Sequence, residues 1–176
     1  MTPISHLAVP LMLSVALGPD IVPPGLLVLA LAAAVLPDID AVGLWLGIPY
    51  EHPLGHRGFT HSLSFSVALA GMGAFLAPWV GAAPSTAFLL LLAGTASHGL
   101  LDALTNGGLG IAFFSPFSTR RYFLPWRVIE VSPLRPAELF SQRGLRVLGS
   151  EMRYVWAPCL LLALLGVALR SLAGRG

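Results

Sequence analysis

Five stretches of this chain, about residues 3 to 18, 22 to 37, 62 to 82, 85 to 105 and 152 to 172, are apolar over or near the length of a bilayer-spanning helix. Crossing the hydrocarbon core takes roughly 20 apolar residues in a helix, because lipid offers the backbone no hydrogen-bond partner. Of the 176 residues, 56% are hydrophobic and only 10% charged, against about 25% charged in a soluble domain. The mean hydropathy of +0.80 agrees. The expected fold is an all-α, polytopic membrane helix bundle of about five transmembrane helices, forming one domain over residues 1 to 176.

The first two stretches are short and joined by "GPDIVPPG", in which Gly18, Asp20, Pro23 and Pro24 break the helix. The opening "MTPISHLAVPLMLSVALG" has no basic leader and no small-residue cleavage pattern, so it reads as a retained membrane segment. Residues 106 to 150 mix arginines with aromatics, as in "SPFSTRRYFLPW", which suits an interfacial segment between the fourth and fifth helices, acting as a lid. Cys159 is the only cysteine. It permits no intrachain disulfide and reads as packing.

All ten basic residues are arginine, so a catalytic lysine is excluded, and the formal charge of +2 is too weak to argue for nucleic acid. Helices joined by short loops alternate in direction. This places His6, Asp38, Asp40, Glu51, His52, His56, Arg57, His61, His98 and Asp102 on one face of the bilayer. That face also holds eight arginines, from Arg57 to Arg153, whereas the other holds Arg170 and Arg175. By the positive-inside rule it is the cytoplasmic one.

"SHGLLD" sets His98 and Asp102 one turn apart on a helix, where imidazole and carboxylate can grip one metal ion. "LPDID" sets Asp38 and Asp40 so close that they repel unless a cation lies between them. "HRGFTH" adds His56 and His61, and His6 joins the same layer. Such a nitrogen and carboxylate mixture suits one or two divalent ions, zinc first, with manganese or iron compatible. Two ions would need a bridging carboxylate, for which Asp38 or Asp40 is placed. Two such ions against three aspartates leave an electropositive pocket before Arg57 is added. It would favour an anionic phosphoester attacked by metal-activated water. Arg57 would bind the anion, and Glu51 or His52 would act as general base or acid.

Plainer readings accompany these. Ser62 reads as a cap for the third helix, and "TNGG" at 105 to 108 as a helix stop with Asn106 and Gly107 in the C-terminal cap. A lone interfacial histidine such as His6 or His52 is usually a hydrogen-bonded anchor. Seven ionisable residues meeting on one face of a membrane bundle point instead to function.

His6, "LPDID", "HRGFTHS" and "SHGLLDALTNGG" resemble the YdjM-like family of inner-membrane metal-dependent hydrolases, over about residues 1 to 120. That family is distantly similar to zinc-dependent phospholipase C, an all-helical enzyme with a helical H-x-x-x-D. The resemblance implies an inner-membrane hydrolase acting on an ester or phosphoester of a lipid or lipid-linked partner. It implies His98 and Asp102 on one ion, His6 and His61 in the cluster, and Asp38 or Asp40 bridging. Phosphatases with a histidine nucleophile need a lysine-arginine clamp, di-iron hydroxylases need about eight histidines, and the H-E-x-x-H of a membrane protease is absent. The alternative from another class is a metal-binding transporter, sensor or non-catalytic membrane protein. A transporter would place its ionisable groups near the bilayer midplane rather than at helix ends.

Overall fold

The computed structural model of the protein describes residues 1–133 and 136–174. Arg135 and Arg175, two of the arginines in the charge asymmetry, lie outside them. The fold is the expected all-helical bundle. Four helices have spanning length and apolarity, α2 (Pro24–Trp45), α3 (Leu63–Val80), α4 (Pro84–Ala103) and α5 (Gln142–Leu172). They are preceded by a shorter apolar helix, α1 (Pro3–Leu17). At 1.5 Å per residue α1 is about 22 Å long, short of the roughly 30 Å core. Among the described residues the only β-type pairings are two isolated bridges, Thr105 with Ile129 and Ile111 with Tyr122.

Two helices exceed their sequence boundaries. α2 does not stop at Pro37: it is α-helical over Pro24–Val35, tightens to a 3-10 turn over Leu36–Asp40 and resumes over Ala41–Trp45. Proline lacks an N–H and has a fixed φ, both harmless at the start of a new turn. α5 begins ten residues early, at Gln142 rather than about 152, and passes through a π turn at Met152–Trp156. Its first turns carry Arg143 and Arg146, so no apolar run announces them.

α4 is the central helix, packed against α3, α2 and α1, while α5 lies along α1. Leu26, Ala30, Leu69, Ala70, Leu90 and Leu91 fill the seam between α2, α3 and α4. Small residues let these backbones close up, as in other membrane helix pairs. A Cβ on Gly73 would stand 2.2 Å from Leu91 Cδ2. Outward, α5 exposes Leu161, Leu162, Leu164, Leu165 and Leu169, the all-round apolarity of a helix facing lipid.

The segment after α4 folds back across the end of the bundle. Asn106 N–H donates to the Ile129 carbonyl (2.9 Å), Ile111 and Tyr122 exchange backbone hydrogen bonds, and Ile111 and Ile129 are buried. Ser62 is the N-cap of α3, accepting from Phe65 N–H at 3.1 Å. The α4 stop comes earlier than "TNGG" suggests, with Leu104 as its C-cap. Asn106 instead pins the returning loop, accepting from Val131 N–H and donating to Glu130.

Glu151, buried within α5, holds the start of the chain. Its carboxylate accepts from Thr2 N–H (2.5 Å), Thr2 Oγ1 (2.5 Å) and Ser5 Oγ (2.7 Å), and Trp156 Nε1 donates to Ser5 Oγ. Each buried donor stranded without a partner costs about 1–3 kcal/mol. Glu151→Ala should therefore destabilise the detergent-solubilised protein by about 3 kcal/mol or more. Thermal unfolding would show it, and an unchanged midpoint would contradict this account of how α1 is docked.

Candidate metal centre

The site begins with the proline of "LPDID". Pro37 has no N–H to give the Ala33 carbonyl, and the 3-10 pitch that follows draws the Asp38 N–H away from Ala34. Two carbonyls of α2 are thus left for other donors. α4 supplies both: Thr95 Oγ1 donates to the Ala33 oxygen (3.4 Å) and His98 Nδ1 to the Ala34 oxygen (2.7 Å). A neutral His98 that spends its Nδ1 proton there presents Nε2 as a lone pair.

His98 Nε2 faces His61 Nε2 at 3.1 Å and Asp38 Oδ1 at 3.4 Å. His61 Nε2 stands 3.7 Å from Asp38 Oδ1 and 3.6 Å from Asp102 Oδ2. Asp38, His61, His98 and Asp102 can each offer one ligand atom, all within 4.8 Å of one another. Two ligands about 2.0–2.1 Å from a tetrahedral zinc ion stand roughly 3.4 Å apart. The four separations scatter around that value, so the donor set fits a metal ion. A second group, Asp38, Asp40, His56 and His61, shares two of these residues. Its members already hydrogen-bond each other, His56 Nδ1 to Asp40 Oδ1 at 2.7 Å. His6 is fully buried and stacked on His98 with ring centroids 3.4 Å apart, and neither of its ring nitrogens has a hydrogen-bond partner among the described residues.

Asp40 stands behind the cluster. It accepts from Thr60 Oγ1 (2.6 Å) and from Arg57 N–H (3.1 Å), and lies 3.1 Å from His61 Nδ1. A carboxylate on Nδ1 fixes the ring and leaves Nε2 for an ion. Burial opposes charge on His61, but the carboxylates of Asp102, Asp38 and Asp40 outweigh it and push its pKa up to about 10. Arg57 is the one non-glycine residue with positive φ, 64°, among the described residues. That backbone is held by its N–H on Asp40 and by Ala112 N–H donating to its carbonyl. Its side chain pairs with Asp102 Oδ2 (3.1 Å) and donates through Nη1 to Thr105 Oγ1 (3.1 Å) and the Gly107 carbonyl (2.9 Å).

The cluster opens into a cavity of about 600 Å³, whose lining includes Asp38, Tyr50, His56, Arg57 and Asp102. The folded-back segment, expected as a lid, supplies part of the wall through Gly108, Val131, Ser132 and Pro133. The geometry thus brings His6, Asp38, Asp40, His56, Arg57, His61, His98 and Asp102 together. It does not bring Glu51 and His52, which are exposed on the loop and line no part of the cavity; His52 Nδ1 accepts from Leu54 N–H instead. Tyr50, Thr60, Thr105 and the Met1 amine, 2.6 Å from Asp102 Oδ1, were not singled out by sequence. Thr105 carried a signal, its place in "DALT" just beyond Asp102.

Fold and site define a class: a polytopic helical membrane protein with a buried histidine and aspartate cluster, able to hold a metal, at one end of its bundle. Residues 1–174 match the YdjM inner membrane protein family, and the chain belongs to it. It is similar to the inner membrane protein YbcI of Escherichia coli (strain K12), 39% identical over 162 residues that cover 92% of this chain and 94% of YbcI. It is also similar to the inner membrane protein YdjM of the same organism, 36% identical over 87 residues, or 46% of this chain and 44% of that one. YdjM of Shigella flexneri matches to the same extent. No solved structure matches the chain. These names state no activity.

Two outcomes follow for the cluster. A Cβ on Gly99 would stand 2.8 Å from the His61 carbonyl, so Gly99→Ala should push His61 from His98 and weaken zinc binding by about tenfold or more. This should hold although alanine favours a helix by about 1 kcal/mol; calorimetric titration with zinc would read it, and unaltered affinity would refute the packing argument. An ion must also displace the proton that three carboxylates hold on His61. Apparent zinc affinity should therefore rise as pH rises toward 10, with proton release on binding, measurable in buffers of different ionisation enthalpy.

Proposed function

We propose that the protein is a membrane-bound, metal-dependent hydrolase that cleaves a phosphoester of a lipid or lipid-linked substrate at the membrane interface. The observation that carries this reading is the zinc-like spacing of Asp38, His61, His98 and Asp102, two of which, Asp38 and Asp102, line a cavity. Four such ligands fill a tetrahedral shell, so an attacking water would take a fifth position on the cavity side, an expansion that catalytic zinc sites allow. Those four residues would hold one ion, with His6 above them. A second, on Asp38, Asp40, His56 and His61, would require the His56–Asp40 bond to yield. Zinc is the first choice, with manganese or iron compatible. When bound, such an ion supplies Lewis acidity, polarising a phosphoryl oxygen and lowering the pKa of an attacking water.

The chain's own residues do the rest. Arg57 is fixed by Asp102 and Thr105 with one edge in the cavity, where it would orient the anion. His56 lines the cavity and is backed by Asp40 at 2.7 Å, an arrangement that can hold or move a proton at Nδ1 and Nε2. His56 and Asp40 take the acid-base role for which Glu51 or His52 is too exposed. The arginine excess on this side argues for a cytoplasmic site.

Elemental analysis of the detergent-purified protein should find one to two zinc or similar ions per chain, lost in the His98→Ala/Asp102→Ala variant. Phospholipid hydrolysis should vanish with the metal. A protein that takes up no ion after reconstitution with zinc, manganese or iron would refute the reading and favour a polar network of transporter or scaffold type.

A further inference from the structure

The cavity is larger than a phosphate group requires. Its volume of about 600 Å³ lies in the range of roughly 300–1,000 Å³ that takes drug-sized ligands. Its lining surface is more apolar than polar: Asp38, Asp102 and Arg57 contribute the charge next to the cluster, Ser132, Glu138 and Arg143 add further polar groups, and Pro3, Ala41, Val131, Pro133 and Leu139 are apolar. The many hydroxyls of a sugar or nucleoside would find fewer partners than they lose in water on so apolar a lining. An alkyl chain would lose nothing.

The two arginines lining the cavity differ in availability. Arg57 is buried and already bonded to Asp102, Thr105 and Gly107. Arg143, from the first turn of α5, is half exposed, and its one ion pair among the described residues is with Glu138 at 3.7 Å, itself half exposed. That is too long for a hydrogen bond, and exposed pairs of this kind hold their partners weakly. Among the described residues nothing else holds the Arg143 guanidinium back from a ligand.

We propose that the cavity seats an anionic amphiphile, phosphate toward Arg57 and the cluster, apolar body against Pro3, Ala41 and Leu139. Arg143, the more exposed of the two arginines lining the same cavity, is the residue that selects a net-negative head and repels a cationic one. This rests on reading the charged part of the lining as a phosphate seat, and it names the substrate class of that seat. A phosphatidic-acid-type head would place its phosphate in the field of Arg57 and give Arg143 the partner that Glu138 supplies only weakly. A choline head would set its quaternary ammonium against Arg143.

The test measures binding without turnover. Zinc-loaded protein in detergent is titrated with non-hydrolysable phosphonate analogues of dioctanoyl phosphatidic acid, dioctanoyl phosphatidylcholine and glycerol 3-phosphate. The acidic lipid should bind about tenfold more tightly than the choline lipid, and the chainless phosphonate at least tenfold more weakly than the acidic lipid. Arg143→Gln should shrink the head preference to about twofold with zinc content unchanged, and Glu138→Gln should widen it. Equal binding of both lipids, an Arg143→Gln loss shared by both, or chainless binding as tight as the lipid's would each overturn the proposal. Selective binding combined with no cleavage of the corresponding phosphate lipids would sink the hydrolase reading alone and leave this one standing.

Discussion

Asp102 is a carboxylate buried at the end of a membrane helix, a place where an unpaired charge costs several kcal/mol. The bundle meets that cost by drawing cations and donors from remote parts of the chain. The Met1 amine lies on one oxygen and Arg57 on the other, with His61 beside it. Holding Arg57 there fixes the loop that carries His56 and His61, and holding the chain's first residues there sets where α1 begins. Removing Asp102 would thus loosen more than its own corner of the cluster.

That dependence runs outward through Asp40 and Glu151. Asp40 gathers His56, Arg57, Thr60 and His61, four residues of one short loop, so "HRGFTH" is shaped largely by a single carboxylate on α2. Glu151 does the corresponding work for α1. The three buried acids sit on α2, α4 and α5, and each ties down a part of the chain remote from it in sequence.

Much of this was legible in the residues. Long apolar runs gave the helical membrane fold, and alternating helix direction was enough to gather His6, Asp38, Asp40, His56, His61, His98 and Asp102 at one end. Glu51 and His52 share the loop with His56 but not its environment, because two or three residues of turn decide which way a side chain faces. Glu151 was hidden for a related reason: one acid among the arginines of α5 resembles a solvated face until Thr2 and Ser5 are placed against it. The wall residues Val131, Ser132, Pro133 and Leu139 have no local signature, since only the folded-back chain path brings them to the cavity. Pro37 misled most plainly, because a proline that ends one type of turn can open another.

Pro37 also bears on what the bundle can do mechanically. The carbonyls it leaves free on α2 are caught by Thr95 and His98, one turn apart on α4. Sliding α4 past α2 by one turn, about 5.4 Å, would leave two buried donors and two acceptors without these partners and pull Asp38 away from His98 at the same stroke. The pair is keyed in register, so piston-like or elevator-like travel between these helices is closed off. Access to the centre has to come from the walls, with the two helices as a fixed frame.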